Sequence, residues 1–437
     1  MTASKGLASR RAALNVLTQV RSGRPLDAAL DGALQKLDED DRRLAHEMAA
    51  GVLRRQQALD ARLAALVTRD WSKVPPRLQD LLRLGAYQLV VLDRVPAHAA
   101  VDTSVSLARE EGGPRAGGFV NAVLRRLGAQ PEAMAPDHSE ADLSDAEALA
   151  RRHSHPLWLV RRWLARFGPE ETRRLLQWND RRPRLVLQPA RQTADELERR
   201  WTAAGIVTEP ATFGAGLVTD RRRPEELPGF AEGAFLVQDP AQALLAWYAD
   251  LPEGASVYDA AASPGGKTIA FGREARAVVA GDVSRLRVER LAGNLRRAGS
   301  GREHAVVADA RQPPVRAVDA VLLDVPCLGT GTFARHPDAR TRVTAEALER
   351  VAGLQAELLD RVADAVAPGG LLIYSTCSLE PEENEQQVER FLARRPDFSR
   401  EPSGTFPAAL VSEKGDMVIL PQRHEMDGAY AARLRRA

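Results

Sequence analysis

Cysteine is nearly absent: the 437 residues hold two, Cys327 and Cys377. A disulfide framework is thereby excluded. No Cys/His cluster has the spacing of zinc ligands, so both thiols are read as reduced and no metal is expected. No apolar run approaches the roughly 20 residues that span a bilayer. The basic start from Met1 to Arg11 has no apolar stretch behind it, so the chain is read as cytoplasmic with no membrane partner. Lysine is confined to Lys5, Lys36, Lys73, Lys267 and Lys414, so nearly all positive charge is arginine, which grips phosphate bidentately and stacks on bases. The net charge of +2 says little about nucleic acid, because a local patch and not the average binds phosphate.

What is present is the composition of a folded chain, 44% hydrophobic and 27% charged. At about 150 residues per domain, two to three cores are expected. From Arg10 to Leu127 apolar residues recur at helix spacing (Leu14 and Leu17; Leu59, Leu63 and Leu66), and Leu81 to Val91 form a nearly all-round apolar helix at the centre of a bundle. This predicts an all-α domain over 1–130. A Pro- and acid-rich linker follows at 131–150. Residues 151–238 read as a small α+β module: a helix broken near Gly168, strands at Leu185 to Leu187, Gly205 to Thr208 and Phe235 to Val237, and a helix from Thr193 to Ala204. Residues 239–437 alternate short apolar strands with helices, which predicts a parallel, doubly wound α/β sheet of the Rossmann-like kind. Its strands are Ser256 to Asp259, Ala277 to Asp282, His304 to Ala308, Ala320 to Asp324 and Leu371 to Ser375.

The first of these strands runs into Ala260-Ala261-Ala262-Ser263-Pro264-Gly265-Gly266-Lys267-Thr268. Small residues at such a turn let a ligand approach the backbone. Gly266-Lys267-Thr268 mimics the end of a P-loop, but that motif needs glycine where Ala261 stands. Asp282, at the tip of the second strand, is positioned for a ribose hydroxyl pair. Asp309 follows the third strand, where it either reaches the adenine end of the same ligand or caps a helix.

Both cysteines fall just past neighbouring strands, in Asp324-Val325-Pro326-Cys327 and Ser375-Thr376-Cys377-Ser378, where open α/β sheets bind ligands. A lone cysteine is usually a small core hydrophobe; two at adjacent strand ends are not. Thiols there suit cytosine C5, a poor nucleophile that becomes enamine-like once a thiolate adds to C6. A base must then remove the C5 proton so that the thiol can leave. One cysteine would be the nucleophile and the other would assist release, in either assignment, and Asp324 could hold the cytosine N3/N4 edge.

Ser263 to Thr268, Asp324-Val325-Pro326-Cys327, Ser375-Thr376-Cys377-Ser378 and Pro381-Glu382-Glu383-Asn384-Glu385 resemble the motifs of the RsmB/Sun/NOL family of RNA cytosine-C5 methyltransferases. Asn294-Leu295-Arg296-Arg297, Arg335-His336-Pro337-Asp338 and Asp427-Gly428-Ala429-Tyr430 extend the match over the whole segment after Gln238. The resemblance implies S-adenosyl-L-methionine as methyl donor, Cys377 as nucleophile and Cys327 assisting release. It implies donor contacts from Ala261, Ala262, Ser263, Pro264, Gly265, Gly266, Lys267, Asp282, Asp309 and Asp324. Leu84-Gly85-Ala86-Tyr87-Gln88, Val95 to Val101 and Gly118 to Arg125 are similar to the NusB-like helical RNA-binding domain. That fusion implies small-subunit (16S) ribosomal RNA as partner and a monomer. Ala261 stands where many members have Cys, Ser263 and Val325 where Ala is usual, and Leu328 where Ser is; the last could alter product release.

The arginine pairs Arg125 and Arg126, Arg151 and Arg152, and Arg161 and Arg162 are a candidate phosphate-binding face, or an ordinary solvated surface. Two other classes are weighed: a non-catalytic RNA-binding factor on a decayed methyltransferase scaffold, against which both intact thiols argue, and a protein or small-molecule methyltransferase, which needs no cysteine pair.

Overall fold

Glycine and proline set the breaks in the helical part of the chain. Gly112 and Gly113 (φ +71°) precede Pro114 within Ala97–Gly128, and Gly168 (φ +76°) precedes Pro169 within Leu157–Asp180. Each left-handed glycine turns the chain before a proline that cannot donate, so each span is two helices in angled succession. The computed structural model describes residues 6–68, 70–129, 144–220 and 223–437. Most of the linker read at 131–150 therefore lies outside the described residues. The chain divides into two units: Met1–Arg181 with Phe333–Arg342, and Arg182–Thr332 with Val343–Ala437.

The described residues of the first unit form helices and the turns between them. Asp38 caps Glu39–Arg54 by accepting from the Asp41 amide, and Pro76 opens Pro76–Val90, where its missing N–H costs nothing. Leu81, Leu82, Leu84, Ala86 and Tyr87 of that helix are all buried, as its all-round apolar pattern predicts. A Cβ on Gly51 would lie 2.1 Å from the Tyr87 ring, so glycine is what lets these two helices cross closely.

Residues 333–342, read from sequence as part of the catalytic domain's motif set, pack within this helical unit. The Phe333 ring lies 5.6 Å from His155 and 6.2 Å from Trp163. Arg340 is almost fully enclosed. It donates to the carbonyls of Arg54 (2.9 Å), His153 (3.0 Å) and Phe333 (3.4 Å) and to that of Asn179, and it pairs with Asp180 at 3.3 Å. Burial lowers its pKa to about 10, so it stays charged near neutrality. His153 and His155 are buried in the same cluster, a structural use that accounts for them without chemistry.

The second unit holds two sheets. The small one comprises Leu185–Pro189 (β1), Glu209–Pro210 (β2), Leu217–Thr219 (β3) and Phe235–Val237 (β4), antiparallel in the order β2-β3-β1-β4. The helix Ala194–Ala203 begins at a capping box of Thr193 and Glu196 and buries Trp201 edge-on against Phe235, with centroids 5.2 Å apart. The strand expected at Gly205 to Thr208 is a turn: Gly205 has φ +69° at the end of that helix and Val207 is exposed, so pairing passes to β2 and β3.

The large sheet comprises Ser256–Asp259 (β5), Ala277–Asp282 (β6), Glu303–Val307 (β7), Val318–Asp324 (β8), Val366–Thr376 (β9), Phe398–Arg400 (β10), Met417–Ile419 (β11) and Ala429–Arg436 (β12). Its order is β10-β12-β9-β8-β5-β6-β7, with β11 against β12. Strands β5 to β9 are parallel, as the alternating pattern predicts, and the order reverses between β5 and β8. Beyond the expectation, β10, β11 and β12 add antiparallel pairing on the β9 side. β12 was not legible because Arg433 is buried in it, satisfied by the Ala249 and Asp250 carbonyls and by Glu401.

Arg340→Ala would leave several buried carbonyls without a donor and Asp180 without its partner. The expected cost to the first unit is about 3 kcal/mol, read as a lowered urea midpoint in its helical signal. A change below about 1 kcal/mol would mean that water replaces the guanidinium freely.

Candidate active site

The ends of the five parallel strands and the turns beyond them lie on one edge of the large sheet, around the point where its order reverses, the place where open α/β sheets hold ligands. From β5 the chain turns through Ala261, Ala262, Ser263, Pro264 and Gly265 into the helix Gly266–Phe271. Gly265 has φ +106°, and a Cβ there would meet Leu291 at 2.7 Å. The Ala262 amide donates to the Gly281 carbonyl (2.9 Å), Asn294 donates to the Pro264 carbonyl (2.9 Å) and the Ser263 hydroxyl to that of Arg287 (3.1 Å). The turn is thus held by its neighbours, not by its own sequence.

Asp259, the last residue of β5, is fully buried. One oxygen accepts from the Thr268 hydroxyl at 2.6 Å and the other has no partner. Burial raises its pKa to about 6. The Tyr258 hydroxyl beside it is likewise buried and unpartnered. Asp282 is buried at the end of β6, accepting from the Ser284 amide (3.0 Å) and facing Arg287 at 3.1 Å. Asp309 is half-exposed in a turn, held by the Arg311 guanidinium at under 3 Å, which keeps its carboxyl below the usual range. Val307 pairs in register with Asp282, and Val283 and Val307 are both exposed, leaving apolar surface beside the two acids.

At the ends of β8 and β9 the Cys327 and Cys377 sulfurs lie 2.8 Å apart. Both residues are half-buried and both are free thiols. Asp324 accepts from Lys267 Nζ (2.7 Å) and from the Ser375 hydroxyl (2.8 Å), which ties the glycine turn to both strands. The Cys327 thiol is pushed well above its ordinary value by the hydrogen bond it shares with Cys377, by burial, and by the charges of Cys377 and Glu383. The two loops cross at glycine: the Gly331 amide donates to the Cys377 carbonyl (3.0 Å) and its carbonyl accepts from Gly428 (2.8 Å). A Cβ on Gly331 would stand 2.7 Å from Gly428 Cα.

All the residues singled out from sequence here therefore gather on one side of the large sheet, Asp282 and Asp309 toward one end and the thiols with Asp324 and Lys267 toward the other. Sequence reasoning gave Asp259 no role beyond ending its strand, and it used Thr268, Ser375, Asn294, Glu383 and Asn384 only within motifs that mark the resemblance. Strand-end position was a usable signal for Asp259; nothing local gives the others their partners. Among the described residues no group of three or more His, Cys, Asp or Glu is placed to hold a metal, and no helix is long and apolar enough to cross a membrane. In the first unit, Arg125, Arg126, Arg151 and Arg161 are exposed, while Arg162 lies over the Trp158 ring at 6.0 Å.

The sequence profile of the 16S rRNA methyltransferase RsmB/F family matches residues 246–435, and that of the NusB family matches residues 7–129. A ribosomal RNA small subunit methyltransferase B from Vibrio cholerae is 35% identical over 97% of this chain and 96% of its own length. One from Pseudomonas putida is 35% identical over 97% and 98%. The solved structure of PH0851 shares the fold, with a TM-score of 0.82 at 24% identity over 98% of each chain.

The position of Cys327 beside Cys377 predicts a pH effect. In wild type, alkylation of Cys327 by iodoacetamide, located by peptide mass spectrometry, is expected to require higher pH than an ordinary thiol. Cys377→Ala removes the hydrogen-bond partner that contributes most to this effect, and the Cys327 profile is expected to move to lower pH. Superposable profiles would show that the sulfurs do not share a proton.

Proposed function

This chain belongs to the RsmB/F family of 16S rRNA methyltransferases, and from that premise we propose that it methylates C5 of a cytosine in small-subunit ribosomal RNA through a covalent adduct on Cys377. The observation that carries the reading is the pair of thiols 2.8 Å apart at neighbouring strand ends, with a Lys267–Asp324 pair beside them. Methylation of a protein or small molecule would need the glycine turn but not two apposed cysteines.

The methyl donor proposed is S-adenosyl-L-methionine, which supplies an electrophilic methyl group when bound. The residues fit such a group: Asp282 for the ribose, Asp309 with exposed Val283 and Val307 for the adenine end, Ala261 to Lys267 along the backbone, and an unpartnered Asp259 oxygen at the turn. No metal is needed by this chemistry.

In the proposed sequence the Cys377 sulfur, as thiolate, bonds to C6 and the C5=C6 electron pair moves onto C5. Asp324 accepts from the N4 amine, and Lys267 and Ser375 hold that carboxylate aimed. C5 takes the methyl group, its proton passes to solvent at the half-open site, C5=C6 re-forms and the sulfur leaves. The Cys327 S–H, held protonated by its surroundings, donates to that departing sulfur. The helical unit, similar to NusB, is proposed to add RNA contacts through its exposed arginines, whose share of binding would fall with salt.

Cys327→Ala, incubated with S-adenosylmethionine and unmodified small-subunit RNA, is expected to accumulate a denaturant-resistant protein–RNA adduct that the further change Cys377→Ala abolishes. Methylation surviving in Cys377→Ala, with no adduct in Cys327→Ala, would overturn the assignment.

A further inference from the structure

Beneath the two cysteine loops lies a carboxylate that the proposed mechanism does not use. Glu383 is fully buried. One of its oxygens accepts from the Leu328 amide (3.0 Å), the residue after Cys327, and from Gln355 Nε2 (2.9 Å). The other accepts from the Ser378 hydroxyl, the residue after Cys377. Gln355 Nε2 also donates to the Pro326 carbonyl (2.9 Å), and the Tyr374 hydroxyl donates to the Glu383 carbonyl (2.6 Å). Asn384 completes the brace, accepting from Thr376 Oγ1 (2.6 Å) and donating to the Ser378 carbonyl (2.9 Å). A buried carboxylate costs free energy unless it is fully hydrogen-bonded, and here two donors come from the loops that carry the sulfurs and the third, Gln355, from the helix Ala345–Ala363.

We propose that Glu383 is a positioning residue of the reaction, the brace that joins the Cys327 loop to the Cys377 loop and sets the separation of the two thiols. This rests on the cysteine-adduct reading. Its charge has a second effect, since Glu383 is among the groups that hold Cys327 protonated, after Cys377 and burial. The charged or titratable groups facing the thiol pair are Glu383 from the turn after β9, Tyr374 from β9, Asp324 from β8 and Lys267 from the helix after the glycine turn. Among these, Glu383 alone bridges both loops through hydrogen bonds to the residues that follow the cysteines.

Two variants separate the brace from the charge. Glu383→Gln keeps an oxygen for Leu328 and Gln355 and an amide for Ser378, but removes the charge. Glu383→Ala removes both. Two readouts need no RNA: the pH profile of Cys327 alkylation, and the rate at which diamide couples the two thiols into a disulfide, which reports their approach. Expected are a Cys327 profile moved to lower pH by about one unit in Glu383→Gln, with coupling at the wild-type rate when compared at equal Cys327 ionisation, and coupling slowed about tenfold or more in Glu383→Ala. In methyl transfer, Glu383→Gln is expected to lower kcat while leaving KM for donor and RNA unchanged. A wild-type alkylation profile in Glu383→Gln together with wild-type coupling in Glu383→Ala would overturn the proposal. Should Glu383→Ala fail to fold, Ser378→Ala, which removes the arm of the brace on the Cys377 loop, takes its place, and wild-type coupling in it together with an unmoved profile in Glu383→Gln overturns the proposal. Failure of Cys327→Ala to trap RNA would sink the adduct reading but leave these thiol measurements standing.

Discussion

The close approach of two strand-end loops is the constraint on which the rest depends. Two sulfurs cannot stand 2.8 Å apart unless their loops cross with almost no side chain between them. Gly331 supplies that crossing, its backbone sandwiched between Cys377 and Gly428. The parallel pairing of β8 with β9 brings the loops to the same edge, and β12, antiparallel to β9, carries Gly428 back to meet them. Each piece is generic; the juxtaposition needs all of them.

The same crowding sorts the charges. Asp324 is bound by Lys267 and Ser375, so its carboxylate is presented in one orientation at the mouth of the site. Asp259, a few residues away in sequence from Lys267, is buried with one oxygen unpartnered and a pKa near 6, an environment quite unlike that of Asp324. Of the two thiols, Cys327 is the one whose surroundings favour the protonated form, which matches a hydrogen-bond donor better than a nucleophile. Unequal environments for like groups are how a fold assigns roles to them.

Much of this was legible in the sequence, for identifiable reasons. β5 and β6 are buried on both faces, so they read as short apolar runs with the observed limits Ser256–Asp259 and Ala277–Asp282. The glycine turn and both cysteines were legible because their chemistry is local. β12 was not, because its arginines look solvent-facing until Glu401 and two carbonyls are seen to enclose Arg433. Arg340 was hidden in the same way: in a run of charged residues it looks solvated, yet its donors are spent on backbone 161 to 286 positions distant as well as on Phe333 nearby. Glu383 entered only as part of a motif of resemblance, and its partner Leu328 lies 55 residues earlier. Long-range hydrogen bonds leave no periodicity to read.

Methylation at C5 by way of a thiol adduct requires that the C5 hydrogen be lost, and that loss can be counted. Small-subunit RNA labelled with tritium at cytosine C5 would be given to the wild-type enzyme with S-adenosylmethionine, and tritium released to water counted against methyl groups incorporated. One tritium is expected in water per methyl transferred, and neither event in Cys377→Ala. Methyl incorporation without tritium release would place the methyl group on another atom and contradict methylation at C5.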